Sequence, residues 1–572
     1  MTLSERPRVT RLSFDAATVR DWRDPDGRHH DWPVVYMITD SQKVYVGETT
    51  RARHRLRQHL DHPSKAGLRE VRVVIDEEFN KSACLDLESR LIALFHADGA
   101  YAPLNRNDGQ QDSGYFERTT RYQPLFDKVF DRLRTEGVFL RSVDEIENLN
   151  LFKLSPYKAL NDEQLVAVDG IVEGLLEDLT EGRESASVVR GGPGTGKTVV
   201  AIFLLKLLRD IQDSGSGVDP SDDGRFSDFF LDGNRELLDG LRIGFVVPQQ
   251  SLRKTITSVF RRTPGLKGVT VLSPYTVAAS PGTWDLLVVD EAHRLTHRGA
   301  GPTRGAFSQR NRDLFGEMSE GRTAVDWIST KSTHQIYLVD GDQTVRPADV
   351  SRTVVDGLVA RASADHRFYE LESQMRVSAG QGYLGFARAL LTDSPAPARV
   401  PTSYDLRFFD HLGDMKSQIL ERESEVGLSR LVAGYAWRWT SKGDVSVDAP
   451  HDISEDGVEL RWNRTDTDWI SSQGSIDEVG SVHTVQGYDL NYAGVIIGPD
   501  IVWDEDHGGV RAVRESHFDR EVRSVRDEHE LLEYIRNAYY VLLTRGMKGT
   551  YVYVCDPALR ERVRAAISAE HQ

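Results

Sequence analysis

The chain has 572 residues, 39% hydrophobic and 28% charged, which suits several packed cores and excludes a fibrous or low-complexity class. A formal net charge of −17 argues against coating nucleic acid over the whole surface and leaves a locally basic groove as the route to such a partner. Two cysteines, Cys84 and Cys555, make neither a disulfide framework nor a metal cluster. No apolar stretch approaches the roughly 20 residues that span a bilayer. The opening MTLSERPRVTRL has no apolar secretory core. A cytoplasmic location without a membrane partner is the expectation.

In chain order, Val34–Ile38 and Val44–Val46 read as a hairpin around the turn Ser41–Lys43, with Tyr36 and Tyr45 in its strands. Thr50–His59 reads as a basic helix on which Arg55 and His59, four apart, share a face. Ser82–Phe95 reads as an amphipathic helix containing Glu88, and Leu104 and Asn105 follow. Singly, these features have bland readings: tyrosines pack, basic helices face water, and a mid-helix Glu is exposed.

In this order they resemble the GIY-YIG nuclease family over about Trp32 to Asn107. Val35-Tyr36-Met37 stands for the first triplet and Tyr45-Val46-Gly47 for the second. Val35, Met37 and Val46 depart from the family name at strand positions that tolerate apolar exchange. The resemblance implies that Glu88 binds one Mg²⁺, with Mn²⁺ as an alternative, and that Arg55 stabilises the developing phosphate charge. It implies that Tyr36, helped by His59 or Tyr45, is the general base or positions the water, and that Asn105 is the family's late Asn. Arg51, Arg53 and Arg57 would add phosphate contacts. The competing reading is a catalytically dead module kept for binding.

The polar, turn-rich run Asn107–Gly114 marks a boundary. Tyr122–Thr135 has helical periodicity, whereas Val143–Leu151 has no clear type. Residues 113–159 thus read as a helical connector.

Gly191-Gly192-Pro193-Gly194-Thr195-Gly196-Lys197-Thr198 fits the phosphate-loop pattern at every fixed position. The β-type run Ser187–Arg190 precedes it and the apolar helix-length run Val199–Leu208 follows, which is the context the motif needs. Glycines let backbone N–H groups curl around phosphates at a helix N-terminus. Lys197 would reach the β/γ-phosphates and Thr198 would hold Mg²⁺. Leu286–Val289 reads as a buried parallel strand delivering Asp290, to support Mg²⁺, and Glu291, to polarise the attacking water. ATP is therefore the expected cofactor.

The remaining motifs resemble superfamily 1 helicases over about residues 160–558. Gln164, one helix before the phosphate loop, resembles the adenine-reading glutamine. The run Pro248–Lys254 resembles a strand-contact segment, with Arg253, Lys254, Arg261 and Arg262 as basic candidates. Gln343, at the end of the strand from Ile336, resembles the γ-phosphate sensor. Leu371–Arg376 resembles motif IV, with Arg376 reaching the γ-phosphate. Ser481–Asp489 resembles motif V through Gln486 and Gly487, with Asp489 where Glu is usual. Val541–Arg545 resembles motif VI, with Arg545 as arginine finger. The wording of these segments looks most like a bacterial helicase group related to the Schlafen helicase module. Trp437, Trp439, Trp462 and Trp469 read as core in preference to a base-stacking platform.

The expected fold class is α/β: a small α/β GIY-YIG domain (residues 1–112), the connector, and two RecA-like parallel-sheet lobes of a P-loop NTPase (160–345 and 346–572). An exposed acidic insertion is expected near 210–240. The expected function is an ATP-dependent nucleic-acid motor carrying a metal-dependent endonuclease, with DNA favoured over RNA. The alternative is an ATP-switched sensor, or a translocase, whose N-terminal domain only binds.

Overall fold

The computed structural model describes residues 7–105, 114–214, 225–299, 304–316, 321–341, 345–374, 377, 380–393, 400–401, 404–444, 446, 448–465, 469–472, 474–485 and 488–568. They divide into two compact units: Met1–Leu176 with Val199–Asp239 and Val259–Gly268, and Glu177–Thr198 with Gly240–Ser258 and Val269–Gln572.

The first unit opens with β1 (Arg8–Ser13), β2 (Val34–Thr39), β3 (Lys43–Thr49), β4 (Glu70–Ile75) and β5 (Ala102–Pro103). They form one sheet in the order β1-β4-β2-β3-β5. All pairs are antiparallel except β3 with β5. All six residues of β2 are buried, so the strand carrying Tyr36 is covered on both faces. Val34, Tyr36, Ile38, Leu56, Val71 and Val73 share its core. The expected basic helix runs over Ala52–Leu60 and the expected second helix over Lys81–Asp98. The second starts where Asn80 Oδ1 accepts from Ala83 N and stops at Gly99, whose φ of 76° suits a residue without a Cβ.

The connector is helical over Gln123–Thr135, Val143–Glu147 and Asn150–Lys153. Residues 143–151, typeless by pattern, owe their first short helix to a capping box between Ser142 and Glu145. The acidic insertion departs from expectation beyond residue 224. Phe226, Phe229 and Phe230 are buried, and the Phe226 ring lies 5.8 Å from that of Phe203. These phenylalanines and the buried Leu238 supply the apolar area that fixes it. Residues 215–224 lie outside the described set.

Among its described residues the second unit holds two large sheets and one of two strands. Strands β6 (Ser185–Gly191), β7 (Ile243–Val246), β8 (Thr270–Leu272), β9 (Trp284–Val289), β10 (Ser332–Val339) and β11 (Phe368–Leu371) lie in the order β11-β6-β10-β9-β7-β8. Every pair is parallel, giving a RecA-like lobe. The boundary expected at residue 345 falls short, because β11 pairs with β6. Pairing partners far apart in sequence leave no local signal of where a lobe ends.

The second lobe consists of β12 (Asp405–Phe408), β13 (Ser429–Ala433), β14 (Ile453–Glu455), β15 (Val458–Trp462), β16 (Glu478–Ser481) and β17 (Leu490–Ile497), a side hairpin of β18 (Ile501–Asp504) with β19 (Gly509–Ala512), and β20 (Gly546–Val554). The main sheet runs β12-β20-β17-β13-β16-β15-β14 and is parallel apart from the β14–β15 pair. Trp462 and Trp469 are core residues here, and Trp469 Nε1 donates to Glu478 Oε2 at 2.8 Å. Among the described residues no helix is long and apolar enough to cross a membrane.

One buried group in the first unit makes stability depend on pH. His96 lies between Ser155 Oγ (3.2 Å) and Thr263 Oγ1 (3.1 Å), and burial, aided by the charge of Lys206, lowers it from 6.5 to about 3. The folded state keeps the ring neutral, whereas the unfolded chain takes up a proton below its ordinary value. The contribution is complete above pH 6.5 and is lost as pH falls toward 3. The loss from this group is up to about 1.4 kcal/mol per pH unit. Urea unfolding at pH 7 and pH 4 should show a larger drop in midpoint for the wild type than for His96→Gln.

Candidate functional sites

In the first unit, the β2–β3 pairing sets Tyr36 opposite Gly47. The close approach needs glycine: a Cβ at Gly47 would stand 2.4 Å from Tyr36 Oη. Tyr36 Oη and His59 Nε2 share a buried hydrogen bond of 2.7 Å. The Tyr45 ring lies 6.3 Å from that of Tyr36 and 4.9 Å from that of His59, and Lys65 Nζ sits 3.8 Å above it. Asn105 clamps β3 from the side, accepting from Val46 N (3.1 Å) and donating to Val46 O (2.8 Å).

Burial pushes the Tyr36 phenol up. Arg55 draws it down by charge and by a hydrogen bond, while the charges of Glu88 and Glu48 push it up. Three expected residues, Arg55, His59 and Glu88, therefore act on a fourth, Tyr36, and Tyr45 packs beside Tyr36 and His59. Glu48, which pairs with Lys81, had no signal beyond its place after Gly47. Among the described residues no three His, Cys, Asp or Glu side chains form a protein-only metal cage.

In the second unit, β6 ends at Gly191 and a helix begins at Lys197, so the phosphate-loop residues occupy the strand-to-helix turn. Gly194 and Gly196 take φ of 79° and 81°, which only glycine adopts without strain. Lys197 Nζ donates to Gly191 O (2.6 Å) and Gly192 O (2.9 Å) and lies 3.3 Å from Asp340 Oδ2. Thr198 Oγ1 donates to Asp290 Oδ2 at 2.9 Å. Gln374 Nε2 donates to Pro193 O at 2.6 Å, which braces the loop from the segment after β11.

The acids stand at the end of β9. Asp290 is fully buried, and burial first, then the charge of Glu291, raises its carboxyl. Burial acts the same way on Glu291, but His293, Lys197 and Arg294 outweigh it and hold that carboxyl low. Glu291 sits at φ 50°, a left-handed conformation for a non-glycine residue, at the point where a bent backbone re-aims a side chain. His293 Nε2 is 3.2 Å from Glu291 Oε2, and His293 Nδ1 accepts from Asp340 N at 3.1 Å.

A family model described as the Schlafen group 3 DNA/RNA helicase domain matches residues 184–556. The chain belongs to that family. An uncharacterized protein of Saccharomyces cerevisiae, YPL245W, is 27% identical over 412 residues, covering 66% of this chain and 83% of its own length. The crystal structure of a DEAD box protein from Methanococcus jannaschii aligns over 72% of this chain and 95% of its own, with 11% identity and a TM-score of 0.23.

Within the helicase domain, the structure brings Lys197, Thr198, Asp290 and Glu291 together as their order in sequence implied. Arg545 is buried, with Nε on Val541 O (3.0 Å) and Nη1 toward Tyr488 O (3.4 Å), both carbonyls of its own lobe. Gln343, Arg376, Gln486 and Gly487 lie outside the described residues. Gln164 belongs to the other unit, where its Oε1 accepts from Asn161 N and its own N–H donates to Asn161 Oδ1, a capping box on the helix Asp162–Glu181. Arg253, a nucleic-acid candidate by position, donates instead to Val247 O and Pro248 O. Asp340, His293 and Gln374 were missed; an acid ending an apolar strand was the one available signal, at Asp340.

Gly47→Ala should force Tyr36 away from His59. Overpacking of this kind costs about 1–3 kcal/mol. The urea midpoint of the first unit should fall, whereas Gly99→Ala, with open space around its Cβ, should show only the smaller cost of its positive φ.

Proposed function

We propose that this protein is a nucleic-acid-dependent ATPase of the helicase type whose N-terminal unit cleaves phosphodiester bonds. The observation that carries the motor is the constellation Lys197, Thr198, Asp290 and Glu291 at the carboxyl ends of β6 and β9. A hydroxyl bonded to a buried carboxylate is an oxygen donor pair of the kind Mg²⁺ takes, so Thr198 and Asp290 would hold the ion. When bound, it would neutralise charge on the β- and γ-phosphates. Lys197 exchanges its carbonyl partners for phosphate oxygens. Glu291, kept ionised by its surroundings, orients the attacking water and accepts its proton. Arg545 and Arg376 are the candidates for transition-state charge on the closing lobe.

The nuclease reading rests on the Tyr36–His59 hydrogen bond with Arg55 and Glu88 acting on the same phenol. It assigns residues 1–112 to the nuclease and 113–159 to the connector. Glu88 would hold Mg²⁺ or Mn²⁺ with waters and substrate phosphate completing the shell, since such ions take few protein ligands at sites of this class. Arg55 stabilises charge on the phosphate. DNA is the preferred substrate in this reading, with DNA processing or defence against foreign DNA as its setting. A binding-only N-terminal unit, serving a sensor or translocase, is the rival.

The test is cleavage of single-stranded, double-stranded and forked DNA with Mg²⁺, with and without ATP, by wild type, Glu88→Ala and Lys197→Ala. Lys197→Ala should lower ATP turnover by about 10²-fold or more, and Glu88→Ala should lower cleavage by a similar factor while leaving ATP turnover intact. Normal ATP hydrolysis in Lys197→Ala would refute the motor. Metal-dependent cutting that persists in Glu88→Ala, or that is absent from the wild type on every substrate, would refute the nuclease.

A further inference from the structure

Gln249 follows β7 and stands between two parts of the second unit that the motor reading keeps separate. Its Oε1 accepts from Arg294 Nη1 at 3.1 Å, and its Nε2 donates to His483 O at 3.0 Å. The carboxamide can stand only one way round. Turned over, its N–H₂ would face a guanidinium and its oxygen a carbonyl. Arg294 lies three residues after Glu291 in the short helix Ala292–Arg294, is itself buried, and its charge acts on the Glu291 carboxyl. His483 belongs to the short helix Val482–Val485 in the run that resembles motif V. One side chain therefore joins the hydrolysis loop of the first lobe to the second.

A second contact makes the junction stiff. Thr255 Oγ1, on the helix Gln250–Arg262 that starts next to Gln249, shares a 2.9 Å hydrogen bond with Tyr488 Oη. The beginning of that helix is thus fixed to residues on both sides of the motif V glycine-containing stretch. His483 is fixed further: its Nε2 lies 3.1 Å from Asp519 Oδ2, and its ring packs 5.2 Å from Tyr435. A shift of the helix along its axis must move His483 and Arg294 together or break one of these bonds. Arg294 cannot move without changing the charge felt by Glu291.

The geometry points to Gln249 as a positioning residue that transmits strand binding to the water-activating carboxylate. It acts through Arg294 on Glu291 and through His483 on the second lobe. This rests on the motor reading, in which nucleic acid accelerates ATP turnover.

The test compares steady-state ATP turnover with and without a poly-dT oligonucleotide for wild type, Gln249→Ala and Gln249→Glu in the full chain. Gln249→Glu keeps the acceptor toward Arg294 and sets an oxygen against His483 O, so it cuts one limb of the bridge at constant size. Both variants should lose about tenfold in the stimulation ratio, equivalent to one broken hydrogen-bonded step, with the loss in kcat and less than a twofold change in KM for ATP. Melting midpoints near the wild-type value in Gln249→Glu exclude a folding defect as the cause. Wild-type stimulation in both variants overturns the proposal, as does a loss confined to Gln249→Ala, which would make the bond to His483 irrelevant. An equal rise in KM and fall in kcat/KM would assign Gln249 to ATP binding and also overturn it. A wild type that hydrolyses ATP without any response to nucleic acid overturns the motor reading itself.

Discussion

A buried ammonium group must have oxygens around it, and Lys197 has three: two phosphate-loop carbonyls and the carboxylate of Asp340. Each comes from the carboxyl end of a parallel strand or the turn leaving it. This is the constraint on which the lobe depends. A parallel sheet places all its strand ends on one edge, so β6, β9 and β10 deliver a cation, two acids and a further acid to a single crevice. The burial that makes the cluster costly alone is also what polarises it. Asp290 is raised by burial and by the charge of Glu291, while, one residue on, Glu291 is held low against burial by a histidine and two cations. The same inward-facing arrangement gives the phosphate groups of a nucleotide a set of partners already in position.

The parts of this arrangement that are local in sequence could be read there. The phosphate loop is eight consecutive residues whose chemistry needs those glycines and that lysine. The strand ending in Asp290 and Glu291 is an unbroken apolar run. Tyr36, Gly47, Arg55 and His59 lie within one hairpin and the helix that follows it, and their meeting needs only strand register and helix pitch. The parts set by distant pairing could not be read. Nothing near Phe368 says that it pairs with β6, and nothing near Phe226 says that an acidic stretch will pack against Phe203. Gln164 shows a role that pattern did not reveal: its oxygen closes a capping box with Asn161.

Charge follows the same logic. The net charge of −17 comes from 88 acids against 71 Lys and Arg, and several of the arginines are directed inward. Arg253 serves the carbonyls after β7, Arg545 those around Val541 and Tyr488, and Arg430 those of Ser429 and Ile470. A guanidinium with five donors can satisfy several carbonyls at a chain reversal where no backbone N–H reaches. Such arginines fix loops in place, and they are subtracted from any basic groove. The exposed cations Lys254, Arg261 and Arg262 remain as the surface-facing members of that helix.

The N-terminal site sharpens what its tyrosine can do. Burial holds the Tyr36 phenol well above its ordinary range, so at neutral pH it carries its proton. A neutral phenol is a donor and an acceptor at once, and it is already bonded to His59. Arg55 pulls against burial, because its charge and its hydrogen bond favour the phenolate form. Glu88 and Glu48 oppose it by their own charge. Gly47 is the residue that permits the arrangement, since any side chain there would occupy the place of the phenol oxygen.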